Sequence, residues 1–199
     1  MYPRARRPVP APVVRALAPG LNKNGRVILT ASGTHDPELK TGMPAPRHAD
    51  ALKLAYPERD TEHDKSAITA GRRAYSSSKL CNVMTARELA ARLAPSRPDI
   101  ATIAYDPGFT PGTGLARSYP GPIGFIFRYL LPYFSRQSER VSTAANSGTL
   151  LASLATSDLY RGARGSYFAV RGTSVRDVPP SALARDNSAA VTWWKSPEP

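Results

Sequence analysis

The chain is poor in cysteine and histidine and has no long apolar segment. Its single cysteine, Cys81, has no second thiol with which to form an intrachain disulfide. This composition fits a reducing compartment, so we expect a cytoplasmic protein. No apolar run reaches the roughly 18 residues of a membrane-spanning helix, so membrane contact is not expected. The three histidines, His35, His48 and His63, lack the spacing of metal ligands and are interpreted as solvated loop residues.

Acidic residues are also scarce, 15 against 27 basic residues, which gives a net charge of +12. A charge of this size attracts phosphates, nucleic acids or anionic membranes. The basic residues are mostly arginines scattered along the chain, and neither a zinc-finger spacing nor an aromatic RNA-binding motif accompanies them. We therefore expect no nucleic-acid partner.

Residues 1–19 are predicted to be a basic, proline-rich and disordered leader. Four prolines occur among the first twelve residues, and prolines interrupt the period of an amphipathic helix. Residues 13–18 alternatively form the last turns of a helix, which Pro19 and Gly20 would end. The domain itself is expected to span residues 20–195.

Short apolar runs and helical patterns alternate along this domain. Apolar runs bounded by turn residues predict buried strands at 26–31, 100–105 and 165–170. Apolar residues at three- and four-residue steps predict helices at 74–93 and 139–155, with a short helix opened by Ser181 in the tail. Residues 37–73 show no period and are interpreted as a functional or disordered loop. The order strand, helix, strand, helix, strand predicts an α/β fold with right-handed crossovers and a parallel sheet.

Tyr75 and Lys79 carry the clearest chemical signal. They lie four residues apart at the start of a predicted helix, so both side chains project from one face. A phenol loses its proton at about pH 10, and a nearby ammonium lowers that pKa because it stabilises the phenolate. The pair is a candidate proton donor and acceptor, and Lys79 is also suited to hydrogen-bond a ribose hydroxyl. The alternative is an exposed helix start, because this spacing alone is common.

Further candidates follow the first two predicted strands. Ser32 comes where a buried strand ends, which is where open α/β sheets place ligand-binding groups. Its hydroxyl is suited to hold a substrate carbonyl while Tyr75 delivers a proton. Four residues after the second strand are candidates for holding a nicotinamide carboxamide: Pro107, Gly108, Thr110 and Thr113. The alternative for each of these residues is a turn or a helix cap.

Three motifs together resemble the short-chain dehydrogenase/reductase family. They are Arg26-Val-Ile-Leu-Thr-Ala-Ser32, Tyr75-Ser-Ser-Ser-Lys79 and Asp106-Pro-Gly108. The resemblance implies the C-terminal part of a Rossmann-like, doubly wound parallel sheet and an oxidoreductase that uses NADP or NAD. It also implies that Ser32 orients a carbonyl, that Tyr75 is the catalytic acid/base, and that Lys79 lowers the pKa of Tyr75 and holds the ribose.

Within the family, the run Lys79-Leu-Cys-Asn82 and the long segment before Tyr75 are most similar to retinol dehydrogenases and protochlorophyllide reductases. Protochlorophyllide reductases place a cysteine directly after the Pro-Gly pair, and this chain has Phe109 there. Light-driven chemistry is therefore not expected. Family members pair through helices, so a homo-oligomer is expected.

The glycine-rich part of the family has no match in this sequence. Family members begin with a strand and a Thr-Gly-x-x-x-Gly-x-Gly loop, whose amides hold the pyrophosphate, and the sequence contains no such loop. We therefore expect a sheet without the family's first strands. Two hypotheses remain open. The chain is an NAD(P)-dependent oxidoreductase, or it is a catalytically inactive, truncated remnant or interaction module that binds no cofactor.

Residues 115–136 include the most apolar stretch of the chain, 120–134. In the family the matching region is a lid over the substrate, which implies a small-molecule, apolar carbonyl or alcohol substrate. An interfacial membrane helix is the alternative. Three prolines break the helical period of this stretch, so the lid is the favoured interpretation.

Overall fold

The computed structural model describes residues 10–56, 59–110 and 138–195. Its strands, in chain order, are β1 (Arg26–Thr30), β2 (Ala101–Asp106), β3 (Arg164–Arg171) and β4 (Ser174–Asp177). They lie side by side in this order in one sheet. The first three strands are parallel, and β4 pairs antiparallel with β3. The predicted α/β class and parallel sheet are confirmed.

Helices cover both faces of this sheet. They are α1 (Pro10–Leu17), α2 (Ala51–Ala55), α3 (Ala67–Leu93), α4 (Ala144–Thr156), α5 (Ala182–Arg185) and α6 (Asn187–Lys195). Residues of α3, α5 and α6 share one buried cluster with one face of the sheet, and residues of α4 share another with the opposite face. The arrangement matches part of a Rossmann-like, doubly wound sheet. In the described ranges, none of the helices combines the length and the apolarity that crossing a membrane requires.

The central strand β2 shows why the apolar runs of the sequence predict strands correctly. All six of its residues are buried. Successive side chains of a strand point to opposite faces, and Ala104 accordingly packs in the cluster with α3 while Ile103 and Tyr105 pack in the cluster with α4. A strand covered on both faces is expected to be a nearly continuous apolar run, as at the predicted strand 100–105. The polar Thr102 in this run has a partner, since its hydroxyl accepts from the Gly165 N–H at 2.8 Å.

Helix α3 begins at Ala67, seven residues before the predicted start at position 74. Its first two turns carry no core-facing apolar side chain, and Ile68 is 76% exposed. Charged contacts hold this part instead: the Arg73 guanidinium pairs with Asp64 at 2.8 Å, and Asp64 also pairs with Arg47 at 2.6 Å. These contacts are made by charged side chains and not by periodic apolar ones, so the apolar period of the sequence does not indicate the first two turns of the helix.

The described part of the leader is helical rather than disordered. Residues 10–17 form α1, which confirms the alternative of a helix ending near Pro19, and prolines are tolerated in a first helical turn because its backbone N–H groups have no intrahelical partner. Val14 is 7% exposed and packs in a cluster with Leu89 and Trp194. Residues 1–9 lie outside the described residues, so the prediction for them is untested.

Candidate active site

The predicted reaction centre lies at the carboxyl ends of β1 and β2. Parallel strands end at the same edge of a sheet, and the register places Thr30 of β1 beside Tyr105 of β2. Ser32 lies two residues after the end of β1, and its side chain is close enough to Tyr75 of α3 to lower the pKa of the phenol. The ammonium of Lys79 lies 5.4 Å from the centre of the Tyr75 ring. The structure therefore brings together the three residues that the sequence proposes for catalysis.

Lys79 and Asn82 anchor α3 to the end of β1. The Lys79 ammonium and the Asn82 side-chain amide both donate to the carbonyl oxygen of Thr30, at 3.1 and 2.7 Å. The two residues lie three apart, so they project from the same side of α3. An ammonium has three N–H donors, so the bond to Thr30 leaves Lys79 with capacity for a ribose hydroxyl.

The pKa of Tyr75 is raised above its ordinary value, contrary to the expectation that Lys79 lowers it. Partial burial of the phenol is the main cause, the Ser32 side chain acts in the opposite direction, and the negative charge of Asp106 adds to the rise. Lys79 gives its hydrogen bond to Thr30 rather than to the phenol, and burial lowers the pKa of Lys79 itself. Tyr75 therefore holds its proton at neutral pH and is suited to donate it.

Asp106 is a feature of the site that its sequence motif does not reveal. Its side chain is buried, and its two oxygens accept hydrogen bonds from the Gly108 N–H at 3.0 Å and the Tyr167 hydroxyl at 3.1 Å. The same carboxylate raises the pKa values of both Tyr75 and Lys79. A carboxylate at the end of a fully buried strand is the one sequence signal that would have indicated this residue.

The turn after β2 is already engaged within the chain. The Pro107 carbonyl accepts from the Ser147 hydroxyl at 2.8 Å, and the Gly108 N–H donates to Asp106. Gly108 has φ +72°, and a Cβ at this position would lie 2.7 Å from the Arg140 carbonyl oxygen. These contacts join the end of β2 to α4 and to the segment before it. They agree with the alternative given for this motif, a turn.

Of the two remaining candidates for the carboxamide contact, the structure describes Thr110 but not Thr113. Thr110 is buried at the end of the same turn, with an exposed fraction of 8%. Thr113 and the predicted lid at 115–136 lie outside the described residues. The role of this set in cofactor binding therefore stays a prediction.

Comparison with known proteins supports the fold and leaves the family open. No family model matches the chain, and no curated protein matches it. Among solved structures it is similar to one described as an uncharacterized protein from Mycobacterium paratuberculosis, with a TM-score of 0.52 and 22% sequence identity. The match covers 92% of this chain and 52% of that one, so this chain spans about half the length of its structural neighbour. At this identity the likeness concerns the fold alone.

The interpretation of His35 as a solvated residue is wrong. His35 is 1% exposed, because the loop after β1 folds against β3, where the His35 ring meets the edge of Tyr167 with ring centres 5.1 Å apart. His63 is exposed, as expected, and His48 is half-buried beside Asp60 at 3.2 Å. Within the described ranges, no group of three or more histidine, cysteine or acidic residues is placed to hold a metal ion.

Proposed function

We propose that this chain is an NAD(P)-dependent oxidoreductase that transfers hydride between a nicotinamide and a carbonyl or alcohol substrate, with Tyr75 as the acid/base. The observation that carries the proposal is the position of Tyr75 and Lys79 at the carboxyl edge of a parallel sheet, where the Lys79 ammonium donates to Thr30 at the end of β1 and lies 5.4 Å from the centre of the Tyr75 ring. Open α/β sheets bind ligands at this edge. At neutral pH Tyr75 carries the proton that reduction of a carbonyl requires, although its raised pKa makes it a weaker donor than an ordinary phenol.

Each residue of the centre has a distinct part in the proposed reaction. The Ser32 hydroxyl donates to the carbonyl oxygen of the substrate, which stabilises the negative charge that develops there. Tyr75 gives its proton to the same oxygen, and its 39% exposed side chain leaves a route for a substrate to reach it. Bound nicotinamide would supply the hydride.

The donor set fits part of a dinucleotide. Tyr75 and Lys79 present a hydroxyl and an ammonium on one side of α3, which suits a ribose with its two hydroxyls. For the pyrophosphate, the sequence offers no glycine-rich loop at a helix start. The cofactor-free interaction module therefore remains the second candidate function, and cofactor binding is the property that separates the two.

The decisive experiment is titration of the purified chain with NADH and NADPH, followed by nicotinamide fluorescence, together with turnover of simple aldehydes and ketones. We expect saturable binding, and a loss of about 10²- to 10⁴-fold in turnover for Tyr75→Phe, the range that general acid–base catalysis contributes. Tyr160→Phe is the matched control, because Tyr160 belongs to the cluster on the opposite face. A folded chain that binds neither cofactor at about millimolar concentration would support the interaction module.

A further inference from the structure

His35 joins the loop that carries Ser32 to the C-terminal segment. Its Nδ1 lies 2.6 Å from the Ser32 carbonyl oxygen, and the backbone N–H of Ser181 donates to its Nε2 at 3.3 Å. A backbone N–H can only donate, so Nε2 must be the unprotonated nitrogen. The proton of the neutral imidazole is then on Nδ1, where it is donated to Ser32. The two contacts together fix one tautomer and one ring orientation.

The surroundings of His35 hold this ring in place. The imidazole packs edge-on against Tyr167 of β3, with an angle of 79° between the rings. The Tyr167 hydroxyl is itself bound to Asp106. Asp36 and Asp106 are the charged groups that act on His35, and burial outweighs them, so that the pKa of His35 is lowered. The imidazole is therefore mainly neutral at about pH 7.

Several hydrogen bonds fix the backbone conformation of Ser32. Its carbonyl oxygen accepts from the His35 backbone N–H at 3.2 Å as well as from the His35 ring. The Ser32 hydroxyl, on the other side of the same residue, accepts from the Thr34 N–H at 3.4 Å and interacts with Tyr75. A side chain added at Gly33 would lie 3.2 Å from an Asp106 oxygen, so the loop is closely packed.

We propose that His35 is a positioning residue of the candidate active site, whose ring N–H holds the Ser32 carbonyl and thereby keeps the Ser32 hydroxyl beside Tyr75. The inference deepens the proposed function, because it concerns the same Ser32–Tyr75 pair. It does not need turnover to be tested, because the Ser32 hydroxyl affects the titration of the Tyr75 phenol directly.

The test uses two substitutions that separate the two nitrogens of the ring. His35→Asn places an amide N–H near the position of Nδ1 and keeps the donor to Ser32, whereas His35→Gln places its amide near Nε2 and loses that donor. The Ser32 side chain lowers the pKa of Tyr75. We therefore expect this pKa to rise in His35→Gln, as it should in Ser32→Ala, and to stay close to wild type in His35→Asn.

The readout is ¹³C nuclear magnetic resonance of labelled tyrosine, with Tyr75→Phe to assign the signal among the nine tyrosines. His63→Gln is the matched control, because the His63 ring makes the same contact to a carbonyl three residues earlier, at 3.0 Å, in an exposed part of the chain. It should leave Tyr75 unchanged.

A double-mutant cycle completes the test. If His35 acts through Ser32, His35→Gln has no further effect on the Tyr75 pKa once Ser32 is alanine. Additive effects of the two substitutions would overturn the proposal, and so would a Tyr75 pKa displaced equally by His35→Asn and His35→Gln. If His35→Gln does not fold, a displaced Tyr75 pKa in His35→Asn alone overturns it. If the cycle behaves as expected but the wild type shows no turnover, the proposed function fails and the positioning role stands.

Discussion

The cluster beneath α4 and the edge at the carboxyl ends of β1 and β2 are built from opposite kinds of residue. The cluster consists of buried apolar and aromatic side chains: Ile103, Tyr105, Leu154, Phe168 and Val170. The edge contains hydroxyl, imidazole, ammonium and carboxylate groups: Ser32, His35, Tyr75, Lys79 and Asp106. The two regions share β2, because Ile103 and Tyr105 of this strand pack beneath α4 while Asp106, its last residue, lies at the edge.

This difference indicates that the two regions have different roles, one in stability and the other in the chemistry of the site. Burial of apolar area stabilises the fold without directional demands, whereas every buried polar group at the edge needs a partner to offset its desolvation. Substitutions beneath α4 should therefore change the free energy of unfolding and leave the titration of Tyr75 alone. Substitutions at the edge should change that titration with smaller effects on stability.

The largest effect is expected for Leu154→Ala beneath α4. Leu154 is fully buried, and truncation of a buried leucine costs about 2–5 kcal/mol through lost burial and the cavity left behind. Leu159→Ala is the control, because Leu159 is 80% exposed and should change stability by less than about 0.5 kcal/mol. Urea unfolding measures both values. A large change in the Tyr75 pKa of folded Leu154→Ala would show that the two regions are not separate.

Gly108→Ala tests the junction between the two regions and should have the next largest effect. A left-handed backbone costs a non-glycine residue about 1–2 kcal/mol, and the added Cβ would also meet the Arg140 carbonyl oxygen at 2.7 Å. Gly42→Ala is the matched control, since its φ of +75° is similar and nothing lies within 4 Å of its Cβ position. Gly108→Ala should cost about 1 kcal/mol or more beyond the control, measured by urea unfolding; equal costs would contradict this.

Short sequence patterns predict those elements whose structure depends on neighbouring residues in the chain. Three of the four strands were predicted to within one residue at each end, because each contains a short apolar run bounded by turn residues. Ser181 caps α5 as predicted, and its hydroxyl accepts from the Ala184 N–H at 3.3 Å. The meeting of Ser32 with Tyr75 followed from motifs placed at the ends of parallel strands.

The same reasoning fails where segments distant in sequence decide the outcome. His35 is buried because Tyr167 and Ser181 meet it, and neither residue lies near it in the chain. The pKa of Tyr75 depends on desolvation and on Asp106 more than on Lys79, although Lys79 is one helical turn away. Strand β4 was not predicted because it lies at the sheet edge with three exposed residues of four, which leaves no apolar run.

At the polar edge, Asp106→Asn should lower the pKa of Tyr75. The carboxylate raises this pKa through its charge, and an asparagine removes the charge while keeping nearly the same shape. The tyrosine titration described above measures the change. Asp177→Asn on the exposed strand β4 is the control and should have no effect. A folded Asp106→Asn variant with an unchanged Tyr75 pKa would show that Asp106 serves packing alone.

The smallest expected effect is a dependence of stability on pH that originates at His35. Burial lowers the pKa of His35 below 6.5 in the folded state, so the unfolded chain takes up a proton first as the pH falls. Stability is therefore complete above about pH 6.5 and decreases as the pH falls below it, down to the folded-state pKa. Protonation of Nε2 would also set its new N–H against the Ser181 N–H that now donates to it.

This decrease should be separable from acid effects elsewhere in the molecule. The hydrogen bond from Arg73 lowers the pKa of Asp64 from its ordinary value of 3.8. Asp64 therefore stabilises the fold at pH values above 3.8, and this contribution is lost as the pH falls below that value. Urea unfolding between about pH 7 and 4.5 therefore isolates the contribution of the histidines. His35→Gln should flatten the dependence in this interval, and His63→Gln should leave it in place. If His35→Gln retained the full slope, the imidazole would not be the group that links the polar edge to pH.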